Sequence, residues 1–123
     1  MAAVNSYREL IVWQRAMEVI VECYRISDGF PRKETYGLAA QLQRAAVSIA
    51  SNIAEGAGRG HTREYIHHLF IARGSLFEVE TQLLAAERLG YATKQAVDEI
   101  LSMTTEIGKM LNGLIGSLER KLG

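Results

Sequence analysis

"QLQRAAVSIASNIAEGAGRGHT", residues 41–62, is the stretch whose reading decides the fold. Its glycine-rich tail suggests a phosphate-binding loop, while its first two-thirds suggest a helix. At about 100° per residue, Leu38, Leu42, Ile49 and Ile53 share one face. Gln41, Arg44, Ser48, Asn52, Glu55 and, if the helix reached it, Arg59 share an arc of roughly 80° nearly opposite. Ala40, Val47, Ser51 and Ala54 form a third, small-residue face that a neighbouring helix can approach. The tail has neither the phosphate-loop nor the dinucleotide-loop glycine spacing, and no strand precedes it. The segment is therefore a helix over about 34–56. "GAGRGHT" is its stop and reversal, with Thr62 capping the helix that follows.

Working outward, two more breaks divide the chain. "SDGFPRKE" (27–34) contains Gly29, which can end a helix, and Pro31, which cannot continue one. "RLGYATK" (88–94) places Gly90 as a C′ glycine and Thr93 as an N-cap. The segments between show helical rather than two-residue periodicity. The expectation is an all-α, antiparallel up-down four-helix bundle in a single domain, 1–123, with helices near 7–28, 34–56, 62–89 and 93–121.

The core stripes expected are Leu10, Trp13, Met17, Ile20 and Tyr24 on the first helix, and Tyr65, Leu69, Ala72, Leu76, Val79 and Leu83 on the third. On the fourth they are Val97, Ile100, Leu101, Ile107, Leu111, Leu114, Ile115 and Leu118, widened by Met103 and Met110. Second apolar sets remain: Val12, Val19, Cys23 and Ile26 on the first helix, and Ile66, Phe70, Phe77 and Leu84 on the third. Spare stripes on several helices point to subunit contacts and hence to a homo-oligomer.

Composition narrows the function classes. Apolar residues at 48% and charged residues at 23% are ordinary for a soluble globular domain. Net charge is zero, which argues against a generic basic nucleic-acid binder. The charge is uneven, however. Six basic residues face three acids from Arg32 to Arg73, and three face seven from Gly74 to Glu119. Oppositely charged helices packing together would give the same split. "MAAVNSYREL" lacks the apolar region of a secretory signal, and no apolar run is long enough to span a bilayer, so a cytoplasmic protein without a membrane role is expected. The single Cys23 falls in an apolar pattern, as a buried reduced thiol does.

Catalytic chemistry finds little support. His61, His67 and His68 lie together, and Glu64 to His67 has the Glu-x-x-His spacing of di-iron bundles. That centre needs two such motifs and further inward carboxylates. His67 points away from the core, and Glu64 and His68 read as an exposed flank. Ser48, Ser51 and Ser75 have no histidine near in sequence. Glu55 and Glu78 read as ion pairs with Arg44 and Arg73 rather than as an acid/base couple. No enzymatic activity, metal or cofactor is expected.

"QLQRAAVSIASNIAEGAGRG" with "EYIHHLFIARGSLFEVETQLLAAERLGY" resembles the four-helix-bundle proteins first described from intervening sequences in bacterial 23S rRNA genes. The resemblance extends from "YRELIVWQRAMEVIVECYRI" and "FP" to "MLNGLIGSL". That family, once labelled ribosomal, includes the accessory variability determinants of diversity-generating retroelements. The resemblance implies a barrel-like homopentamer with no established catalysis, and, for the accessory proteins, binding of a reverse transcriptase and nucleic acid through basic surfaces. Arg44, Ser48, Asn52, Glu55, Gly56, Gly74, Ser75 and Glu78 occupy its characteristic positions. Of these, Arg44, Ser48, Asn52, Glu55 and Glu78 are read as a structural polar motif. Arg32, Lys33, Arg59, Arg63 and Arg73 are the candidate contacts to nucleic acid or another anion. The function expected is a non-enzymatic oligomeric scaffold whose partners are copies of itself and RNA, DNA or a nucleic-acid-processing protein. The alternative is a protein–protein interaction module without nucleic-acid binding, beside Phe70 and Phe77, with a metal-binding or enzymatic bundle ranked behind it.

Overall fold

The structure, a computed structural model, describes residues 6–123. Among these it contains four long helices and no strand: α1 Ile11–Asp28, α2 Leu38–Gly58, α3 Thr62–Arg88 and α4 Lys94–Leu122. Each helix packs on its chain neighbours, and α4 closes against α1. The cross-helix pairs fix the directions. Ser48 meets Ser75 while Asn52 meets His68, so α3 descends as α2 rises. Arg73 meets Asn112 while Glu80 meets Thr104, and α4 reverses again. None of the helices among the described residues is long and apolar enough to cross a membrane.

The helix ends show why the chain breaks where it does. Ser6 accepts a hydrogen bond from Arg8 N at 3.1 Å and starts a 3-10 turn over Tyr7–Glu9. Leu10 is extended, so α1 begins at Ile11 rather than near residue 7. A second 3-10 turn, Arg32–Glu34, precedes α2. The Glu34 carboxylate then folds forward, and Oε1 accepts from Leu38 N at 3.0 Å, serving as the missing cap of α2. At the α3–α4 reversal Gly90 has φ +78° and Tyr91 N donates to Ala86 O, a left-handed C-terminal cap. Thr93 Oγ1 accepts from Ala96 N, starting α4 as its sequence predicts.

Four expectations are corrected. The α2–α3 reversal is made at Gly60, φ +77°, while Gly56 lies inside α2 and is buried. Thr62 is the first residue of α3, preceded by His61, and its side chain caps nothing. On α1 the core face is Val12, Ala16, Val19, Cys23 and Ser27, while Met17 and Tyr24 are exposed and Trp13 and Ile20 half-buried. The smaller residues lie inward, and of the bulkier stripe only Leu10, Trp13 and Ile20 pack against the core. On α3 the buried set is centred as expected on Leu69, Ala72, Leu76, Val79 and Leu83, but Ile66 replaces Tyr65 and Ser75 joins it.

Candidate functional site

The polar arc of α2 faces α3, the helix against which it packs most extensively. Close approach is possible because both contact faces are lined by small residues. Ala45 and Gly56 of α2 and Ala72 of α3 are buried, and Gly56 lies directly against Tyr65 and His68 of α3. At Gly56 a Cβ would lie 2.8 Å from His68 Cβ and 3.2 Å from Tyr65 O, so only glycine fits.

Inside this seam Asn52 is the junction. Its Nδ2 donates to Ser48 O at 2.9 Å and to Ser48 Oγ at 3.1 Å. Oδ1 is therefore the acceptor toward α3, and His68 Nδ1, 3.1 Å away, must carry the proton. Ser75 Oγ donates to Ser48 Oγ at 2.8 Å and completes the chain. The imidazole therefore presents Nδ1–H to the Asn52 amide oxygen. The arrangement is not a nucleophile with its base, because an amide stands between His68 and Ser48 and cannot relay a proton. The network joins two helices.

Glu55 does not join it. Arg59 donates to Glu55 at 2.8 Å and also lies 3.5 Å from Glu64, bridging the reversal on the surface. Arg44 and Glu78 line one groove of about 360 Å³ with Gln41, Ser48 and Gln82, without approaching to ion-pair distance. Gln82 Oε1 is shielded there with no hydrogen-bond partner. The expected Arg44 and Arg73 ion pairs are thus replaced. Arg73 lies over the Phe70 ring at 4.7 Å and donates to Asn112 Oδ1 at 2.9 Å.

The five basic candidates do not converge. Arg32 and Lys33 lie before α2, whereas Arg59 and Arg63 lie beyond its other end, about 30 Å away for a helix of 21 residues. Arg73 sits midway along α3, between Phe70 and α4.

Two features escaped sequence reasoning. His68 is half-buried rather than on an exposed flank. With Ser75 and Gln82 it forms a seven-residue polar spacing on α3 that was a usable signal. The second is a clasp at the other end of the bundle. Tyr91 Oη donates to Glu34 Oε2 at 2.9 Å, and Phe30 packs against the Tyr91 ring. The Leu38 amide and then the Tyr91 hydroxyl hold the Glu34 carboxyl below the usual carboxylate range. The same bond to Glu34 holds the Tyr91 hydroxyl above the usual phenol value. Burial, with Glu22 nearby, pushes the Cys23 thiol up to about 12, so it stays protonated and unreactive. Among the described residues no group of three or more His, Cys, Asp or Glu side chains is placed to hold a metal.

The model of one protein family, described as 23S rRNA-intervening sequence protein, matches residues 8–113. The crystal structure of a protein of unknown function from the S23 ribosomal protein family of Bacteroides thetaiotaomicron is similar, with a TM-score of 0.79 and 25% identity. The match covers 85% of this chain and 98% of that one. No curated protein matches.

Proposed function

The chain belongs to the 23S rRNA-intervening sequence protein family, and from that premise we propose that it is a non-enzymatic scaffold that assembles into a ring and presents basic residues to nucleic acid. The observation that carries this reading is a stripe of large apolar side chains left in water. Phe70, Phe77 and Leu84 recur at seven-residue steps along α3 and are 40%, 55% and 44% exposed. Other helices expose Met17, Val21 and Tyr24 on α1 and Val47 on α2. Isolated exposed apolar residues are ordinary, but heptad-spaced aromatics on a helix are a packing surface. Two unlike surfaces on one protomer suit a head-to-tail contact, which closes a ring when the rotation per step closes. Five copies is the number the family resemblance implies.

Arg63 at one end of the protomer and Arg32 and Lys33 at the other are exposed. Each is a weak phosphate contact alone, but repetition around a ring makes them multivalent. This accommodates a chain of zero net charge. The test is RNA binding by fluorescence anisotropy. Affinity should fall steeply from low to moderate salt, and Arg63→Gln should flatten that slope. Absence of binding at low salt removes the nucleic-acid role. The exposed Phe70 and Phe77 then favour the second reading, a module that receives a partner helix.

A further inference from the structure

The groove between α1 and α4 carries an inference beyond that reading and independent of assembly through Phe70 and Phe77. Of the four adjacent helix pairs, α1 and α4 touch least. Between them lies a groove of about 460 Å³. Its floor is apolar, made by Ile26, Ile100 and Met103, all half-buried or buried. Its rim is acidic, with Glu18, Glu22 and Glu99 against the single cation Arg25. Arg25 is turned onto Glu22 at 2.7 Å. Glu18 shares Arg15 with Glu106, which continues the acidic strip along α4. Glu99 has no hydrogen-bond or ion-pair partner among the described residues.

We propose that this groove docks a helix of a partner protein that carries an apolar stripe flanked by lysine or arginine. The apolar stripe would lie on Ile26, Ile100 and Met103, and the cations would reach Glu99 and Glu18. The charge selects the occupant, because an acidic rim repels nucleic-acid phosphate and acidic peptides and attracts a basic segment. The shape agrees, since a trough between two antiparallel helices fits a third helix. Met103 supplies an unbranched, polarizable side chain that can adapt to the stripe it meets. The acidic C-terminal half thus has a use that neutralisation within the bundle leaves open, since Glu99 stays unpaired at the groove.

The test is fluorescence anisotropy at low salt, using the whole chain and two synthetic amphipathic helices of about 18 residues, five turns. One is built of leucine and lysine, the other of leucine and glutamate. The leucine–lysine peptide should bind saturably and the leucine–glutamate peptide should not. Glu18→Gln with Glu99→Gln, both at exposed positions, should weaken binding about tenfold or more, a loss of at least one rim charge pair. Met103→Lys should abolish it. Equal binding of the two peptides, no binding of either, or unchanged affinity in the glutamine variant overturns the proposal. A glutamine variant whose free protein changes mass also overturns it, because the occupant is then a second copy. The mass of the unmodified chain tests the ring separately.

Discussion

Gly56 and Gly58 stand two residues apart on α2 and do different work. A Cβ on Gly56 would collide with His68 and the Tyr65 carbonyl, whereas one on Gly58 would meet nothing within 4 Å. Gly56→Ala should destabilise by about 1–3 kcal/mol, because α2 and α3 must separate. Gly58→Ala should stabilise by up to about 1 kcal/mol through the unfolded chain. Urea denaturation of the pair checks both signs. Asn52→Ala should cost about 1–3 kcal/mol, since it leaves His68 Nδ1–H without its acceptor. Ser51→Ala, at an exposed position, should stay within about 0.5 kcal/mol. A neutral result at Asn52 would remove its role as the junction of the seam. These roles were only half legible in the sequence. The spacing of Ser48, Asn52 and Glu55 placed them on one arc, but a glycine that ends a helix and one that admits a neighbour look alike without the neighbour.

At the scale of elements, the helices were legible because stop signals and periodicity coincide at Gly90 and Thr93. Which face of α1 turns inward was not. Leu10, Trp13, Met17, Ile20 and Tyr24 and the set Val12, Val19, Cys23 and Ile26 both recur at helical spacing, and the structure buries Val12, Val19 and Cys23. The Glu34–Tyr91 clasp joins two connections 57 residues apart, a separation no local pattern reports. Its pH behaviour follows from both partners. Glu34 has a lowered folded value, so its contribution is present above the ordinary carboxylate range and is lost as the pH falls through that lowered value. Tyr91 has a raised folded value, so its contribution is present below the ordinary phenol range and is lost as the pH rises through the raised value. Urea midpoints measured against pH should therefore decline at both ends. Glu34→Gln should flatten the acid limb, and Tyr91→Phe the alkaline limb. An unchanged acid limb in Glu34→Gln would show that other carboxylates govern it.

At the scale of the whole molecule, the bundle hides one apolar face of each helix and leaves others in water. Sequence showed the surplus and sorted core from surface on most of α3, but not on α1, where burial depends on how the helix is rotated in the bundle. It also placed five basic residues in one stretch of chain that the fold spreads along its length. The central claim, that the surplus is spent between copies, turns on mass. Light scattering during size-exclusion chromatography at micromolar concentration should give a mass several times that of one chain, five times it for the ring the resemblance implies. Phe77→Glu, at a side chain already 55% exposed, should lower that mass while leaving the helical content intact. A wild-type chain that elutes with the mass of a single copy would contradict the claim.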